Sequence, residues 1–167
     1  MKNFILSILS MLFIQSCLEK DDVLPKAMPY TGNQLKMNGY YHQISSYNNV
    51  VSHSHVMYIN GVLINLWGSG NTIEEIDEYV RQRSQEARYK KYKYNWGVFF
   101  IDDNTIRIHQ LHSDYPHREW IQEGVILNDT TFKITKSFFN GRMRETELIY
   151  HFREFSPKPD STNVYIK

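Results

Sequence analysis

Tight-turn signals recur at short intervals between residues 39 and 156, and this rhythm restricts the fold more than any other feature of the chain. The clearest signal is Asn60-Gly61, which separates the β-rich runs SHVMYI and VLINLW. Asn-Gly pairs favour two-residue hairpin turns because both residues tolerate positive φ. Further turns are predicted at 102–104, 128–129 and 140–141. The pattern therefore predicts consecutive antiparallel strands.

One segment interrupts the strands with a helical pattern. Thr72 and Glu75 have the spacing of a capping box, in which a side-chain oxygen binds a free amide of the first helical turn. Apolar residues then recur at helical spacing, namely Ile73, Ile76, Val80 and Ala87. The sequence predicts one amphipathic helix over 73–89, inserted between the third and fourth strands.

Together the runs predict about eight strands within residues 39–156, enough to close a barrel without exposed edges. Strands that are adjacent in sequence tend to pair in space. The predicted fold is all-β, an up-and-down antiparallel meander that closes into a barrel. An open meander and a two-sheet sandwich stay as alternatives. Pro157 ends the pairing because proline lacks an amide donor, and residues 157–167 are predicted to form a mobile tail.

Residues 1–16 have the pattern of a secretory signal peptide. Lys2 supplies a positive charge, and an apolar run follows over 4–14. That run is too short for a membrane span, which needs about 20 residues. The apolar run ends in the sequence Ile14-Gln15-Ser16-Cys17. This sequence resembles the lipobox of bacterial lipoproteins.

The lipobox resemblance implies that the leader is cut before Cys17 and that this cysteine carries acyl chains such as palmitate. More than one chain is needed for stable anchoring, and the protein would then be held to a membrane by lipid. Cys17 is also the only cysteine, which excludes an intrachain disulfide.

Lys20, Asp21 and Asp22 follow shortly after the cysteine. Lysine and two acids at this position resemble the lipoprotein export signal of Bacteroidetes, which implies an outer-membrane protein at the cell surface. Residues 17–38 contain Pro25 and Pro29 and are predicted to form the lipidated N-terminus and a flexible tether.

Short motifs on five predicted strands form a further pattern: GYY at 39–41, NWGVF at 95–99, TIRI at 105–108 and the run from Trp120 to Ile134, which spans two strands. They resemble the lipocalin-like lipoproteins of Bacteroidetes. The resemblance implies a barrel that binds a small apolar molecule in its interior, or a partner on its rim.

Aromatic residues make up 14% of the chain and favour strands. Those on the strands are candidates for lining a ligand cavity, and the alternative is that they fill the barrel as core. The candidate lining residues are Tyr41, Trp67, Trp96, Phe100 and Trp120.

Basic residues cluster on the predicted helix and directly after it. They form a candidate surface for a protein partner, and the other interpretation is a solvated helix face. With a partner there, the chain would be a non-enzymatic accessory subunit of an outer-membrane assembly. The candidate residues are Arg81, Arg83, Arg88, Lys90 and Lys91.

Charge and motifs argue against several other functions. The formal net charge is only +1, so no global field would attract nucleic acid. No nucleophile elbow, phosphate-binding loop or dinucleotide fingerprint occurs. His53 and His55 share a strand face, but no acidic or thiolate partner has metal-site spacing. The sequence predicts a protein that is not an enzyme and needs no cofactor or metal.

Overall fold

The structure is a computed structural model that describes residues 20–44, 51–70 and 72–166. For 44, 51, 52 and 67–70 it describes the backbone alone. In this part of the chain no helix is long and apolar enough to cross a membrane. The eight strands are β1 (Gly39–Ile44), β2 (Val51–Met57), β3 (Val62–Gly70), β4 (Trp96–Asp102), β5 (Thr105–Leu111), β6 (Glu119–Asn128), β7 (Thr131–Phe139) and β8 (Arg142–Glu154).

Each strand pairs with the next in antiparallel fashion, and β1 also pairs with β8, which closes the barrel. The closing register places Tyr41 opposite Phe152. The predicted all-β barrel of eight strands is therefore confirmed. An open meander is excluded because it would leave β1 and β8 unpaired, and a sandwich is excluded because a single closed sheet contains every strand.

The helical insertion lies between β3 and β4, as predicted. Its first helix, α1 (Ile73–Gln85), begins where the side chain of Thr72 accepts a hydrogen bond from the amide of Glu75 at 3.2 Å. The structure differs from the predicted single helix, because the backbone is extended at Glu86 and a short helix, α2 (Ala87–Lys90), follows. The break turns Tyr89 back toward the barrel wall, where its hydroxyl donates to the carbonyl of Asn65 at 3.4 Å.

Two apolar clusters stabilise the fold, one outside the barrel wall and one inside it. The outer cluster lies between α1 and the strands and includes Tyr40, Leu66, Val80 and Trp96, all fully buried. The inner cluster fills one end of the barrel, and Leu35, from the segment before β1, inserts into it as a plug. Burial of this apolar surface is the main source of stability.

The two ends of the barrel differ in how they are covered. The end with the β2–β3, β4–β5 and β6–β7 turns is the closed end, because residues 30–38 cross beneath it. There the hydroxyl of Tyr41 donates to the carbonyls of Lys36 and Asp129, both at 3.1 Å. The opposite end, with the β1–β2, β5–β6 and β7–β8 connections, is called the open end.

Both segments that the sequence predicts to be mobile contact the barrel in the structure. Before β1, the amide of Tyr30 donates to the carbonyl of Ile59 at 2.7 Å. After β8, Lys158 donates to the carbonyls of Met37 and Met57, and its ammonium lies 4.7 Å from the ring centre of Tyr58. These contacts give the tether and the tail defined positions along the barrel.

Gly61 is the point where the N-terminal segment crosses the β2–β3 turn. Its φ is +81°, and a Cβ atom there would lie 2.0 Å from the carbonyl oxygen of Met28. Gly61→Ala is expected to lower the free energy of unfolding by about 1–3 kcal/mol, because strain and a backbone clash add. Urea denaturation measures the loss.

Gly141→Ala is the matched control for this substitution. Gly141 also has a positive φ, +70°, but a Cβ there would meet nothing within 4 Å. The expected loss is about 1 kcal/mol, from the strained dihedral alone. Equal losses in the two variants would contradict the close crossing at Met28.

Candidate functional site

The barrel interior changes from apolar to polar toward the open end. Because side chains alternate along a strand, the register shows which residues face inward. His55 lies opposite both Tyr41 and Asn65, and Gln122 lies opposite Ile108. Four inward side chains form what is called here the polar layer: His55, Asn65, Gln110 and Gln122.

The polar layer is buried but poorly paired. Its four residues are no more than 1% exposed. Both ring nitrogens of His55, and both amide atoms of Asn65, Gln110 and Gln122, lack a hydrogen-bond partner that meets normal geometry among the described residues. An unsatisfied buried polar group costs about 1–3 kcal/mol. Such a cluster indicates a place where a bound molecule or water supplies the missing partners.

The chemistry of the polar layer is neutral. Burial, and to a lesser extent His53, lowers the pKa of His55 to about 3, so its ring is uncharged and offers one donor and one acceptor. The ring stacks on Tyr150 with centres 4.9 Å apart. Burial raises the pKa of Tyr150, an effect that the adjacent Gln122 amide reduces. The layer thus offers neutral donors and acceptors.

A cavity of about 510 Å³ lies at the open end of the barrel. Two of its lining residues are cross-strand neighbours of the polar layer, because Trp120 pairs with Gln110 and Ser137 pairs with Gln122. The indole nitrogen of Trp120 donates to the hydroxyl of Ser137 at 2.6 Å. This mouth cavity is lined by His112, Trp120, Ser137, Phe139, Arg142, Met143 and Arg144.

Two arginines give the mouth cavity a positive charge. Arg142 and Arg144 are exposed, and they lie opposite the inward-facing Phe139 and Ser137. Within the described part of the chain, neither arginine forms an ion pair. Guanidinium groups bind carboxylate and phosphate in a planar fork geometry. The mouth is therefore suited to the anionic part of a ligand.

The predicted lining residues are divided among different parts of the molecule. Tyr41 belongs to the filled interior, with its ring 5.2 Å from that of Phe132, and Trp120 lines the mouth cavity. Trp67 lies opposite His53 on β3, and its side chain falls outside the described residues.

Trp96 and Phe100 require a correction, because neither faces the interior. On β4 the inward residues are Gly97 and Phe99, so their neighbours point outward. Trp96 is buried under the helical insertion and donates from its indole nitrogen to the carbonyl of Lys90 at 3.0 Å. Phe100 contacts His109 on the outer wall at 5.6 Å between ring centres.

The predicted basic surface is largely neutralised within the molecule. Arg81 pairs with Glu78, Arg83 and Arg88 both pair with Glu86, and Lys90 pairs with Asp160. Lys91 follows α2, and its carbonyl accepts a hydrogen bond from Tyr165. Exposed ion pairs of this kind are weak, but they leave little unpaired charge to attract a partner. A protein partner on this surface stays a prediction.

Most of the site was not predicted from the sequence. His55 was predicted only as a possible metal ligand, and among the described residues no three potential ligands lie close enough to hold a metal ion. Asn65, Gln110, Arg142 and Arg144 were not among the predicted site residues. One signal was present: Asn65 on β3 and Gln110 on β5 each stand two positions after an apolar inward residue, Leu63 and Ile108.

These features define a class of protein, a closed eight-stranded antiparallel β-barrel of lipocalin-like architecture with a buried polar layer and a cavity at one end. Comparison with protein-family models, curated proteins and solved structures finds no significant match for the chain.

Proposed function

We propose that this protein is a lipid-anchored lipoprotein of the outer-membrane surface, whose barrel binds a small amphipathic molecule. The anchor is Cys17, on the strength of its lipobox and the Lys-Asp-Asp that follows. The binding proposal rests on one observation, the buried polar layer, in which the ring nitrogens of His55 and the amide atoms of Asn65 and Gln110 lack hydrogen-bond partners among the described residues. A neutral polar group of the ligand would bind there, while an anionic part would contact Arg142 and Arg144.

A wholly apolar ligand has less support than an amphipathic one. The apolar half of the barrel is occupied by its own side chains, including Tyr41, Phe99, Phe132 and Tyr150, all at most 1% exposed. The mouth cavity, at about 510 Å³, is within the ordinary size range of small-molecule sites. Its lining combines aromatic rings, a hydroxyl and two cations. A ligand of mixed character matches that lining.

Replacing the polar layer by apolar side chains tests this proposal. Asn65→Leu and Gln110→Leu remove buried polar groups that lack partners among the described residues. The free energy of unfolding of each variant is therefore expected to equal that of the wild type or to exceed it by about 1 kcal/mol. Both are expected to lose the bound molecule. Native mass spectrometry of protein purified from its own membrane measures retention, and urea denaturation measures stability.

Gln85→Leu makes the same chemical change on the exposed surface of α1 and is the matched control. It should keep the wild-type amount of bound molecule. Retention of the molecule by both polar-layer variants would contradict binding at this site. Wild-type protein with no bound molecule, together with destabilised Leu variants, would show instead that water satisfies the layer.

A further inference from the structure

The N-terminal segment is docked on the open end of the barrel. The amide of Asp22 donates to the carbonyl of His117 at 2.8 Å, and the amide of Glu119 donates to the Asp22 carboxylate at 2.8 Å. The amide of His117 donates to the carboxylate of Asp21 at 2.9 Å. His117 and Glu119 belong to the β5–β6 connection and the start of β6, at the open end.

Charged side chains reinforce this docking. Asp21 forms an ion pair with Lys93, and Asp22 lies 3.5 Å from the guanidinium of Arg118. Backbone amides that donate to carboxylates are among the stronger hydrogen bonds. Both carboxylates therefore bind to groups of the barrel. These contacts hold residues 20–22, the docked segment, at a defined place on the open end.

The docked segment limits where a membrane anchor can lie. Cys17 precedes Lys20 by three residues, and three residues reach at most about 11 Å when fully extended. An acyl group on Cys17 therefore brings the open end close to the lipid head groups. The closed end lies at the far side of the barrel, one strand length away.

The charges of the two ends agree with this orientation. The open end exposes Arg142 and Arg144 without ion pairs among the described residues, whereas the closed end exposes Asp102, Asp103 and Glu154. The open end also carries the exposed carboxylate of Asp114, which offsets part of this positive charge, whereas Glu145 faces Lys136. An anionic membrane attracts nearby arginines and repels carboxylates.

Apolar side chains add to the contact surface at the open end. Tyr115 is 71% exposed, Met143 is 53% exposed and Phe139 is 37% exposed. Aromatic and apolar side chains beside cations are typical of surfaces that insert into the head-group region of a bilayer.

From these observations we propose that the docked segment orients the barrel with its mouth against the membrane, and that Arg142 and Arg144 contact anionic lipid head groups. The proposal rests on the lipid anchor of the proposed function. In this orientation the mouth cavity opens onto the head groups, so an amphipathic molecule enters the cavity from the bilayer.

Fluorescence quenching in vesicles tests the orientation. The acylated protein is reconstituted into vesicles of phosphatidylcholine with phosphatidylglycerol, doped with a head-group spin label. Since acylated Cys17 has no free thiol, one introduced cysteine is labelled alone, at Ser113→Cys on the open end or Asn104→Cys on the closed end. Both positions are exposed. Quenching is expected to be several-fold stronger at 113 than at 104.

Two sets of variants test the cause of the orientation. Asp21→Ala with Asp22→Ala should reduce the difference between the two labels. Arg142→Gln with Arg144→Gln should weaken quenching at 113 in the mixed vesicles and leave it unchanged in phosphatidylcholine alone. Equal quenching at the two labels, or stronger quenching at 104, would overturn the proposal.

The intact mass of the same preparation separates failure of this proposal from failure of the proposed function. A mass without acyl groups would refute the anchor, and with it the orientation. Acylated protein that retains its bound molecule but shows reversed quenching would refute the orientation alone.

Discussion

Phe132→Ala is expected to lower the free energy of unfolding by about 3–5 kcal/mol, the usual cost of removing a buried aromatic ring from a filled core. Phe132 is fully buried in the closed half of the barrel. Its ring stacks on Tyr150 with centres 4.8 Å apart and contacts Tyr41 at 5.2 Å. The loss of these contacts leaves a cavity that rigid β-strands cannot close. Urea denaturation followed by circular dichroism measures the change.

Phe139→Ala removes the same side chain from the mouth of the barrel and is the matched control. Phe139 is on the same strand and 37% exposed, so the expected loss is below about 1.5 kcal/mol, since little buried surface is removed. Similar losses at the two positions would contradict a filled closed end and an open mouth. In that case a ligand could occupy the lower barrel as well.

Acid is expected to destabilise the barrel well before its carboxylates titrate. Burial lowers the pKa of His55 to about 3 and, together with His151, that of His42 to about 4. In the unfolded chain both titrate near the ordinary value of about 6.5. Between these values only the unfolded chain binds the proton, so stability is complete above pH 6.5 and falls as pH drops. The slope is about 1.4 kcal/mol per pH unit for each histidine.

Urea denaturation between pH 7 and pH 4.5 measures this slope. His55→Gln and His42→Gln should each remove about 1.4 kcal/mol per pH unit of it, whatever their effect on stability at pH 7, and His53, whose pKa burial also lowers, contributes to the remainder. Gln85→Leu, on the exposed surface of α1, removes no titratable group and is the control that should leave the slope unchanged. If neither histidine variant reduced the wild-type slope, His55 and His42 would bind protons in the folded state as readily as in the unfolded chain.

The fold could be predicted from the sequence to the level of strand number and order. Turn residues act locally, so Asn60-Gly61 and Asn140-Gly141 marked hairpins that the structure contains. The capping box at Thr72 and Glu75 is also local, and it formed as predicted. The end of the helix was predicted too late, because Glu86 breaks it where Tyr89 packs on the wall.

The site could be predicted only in small part. Trp120 was a candidate and lines the mouth cavity. Trp96, on β4, was assigned to the wrong face, since an aromatic residue packs equally well beneath a helix or inside a barrel. The polar layer was missed because its members come from β2, β3, β5 and β6. They meet only once the barrel has closed.

The sequence alone determined the local features, namely eight strand segments, the turns between them and one helical insertion. Tertiary structure decided which face of each strand points inward, which end is plugged and where 20–22 dock. The reason is that the side-chain period of a strand is two, so a shift of one residue in register exchanges the two faces. Pairing of β1 with β8 sets that register, and it joins residues more than 100 positions apart.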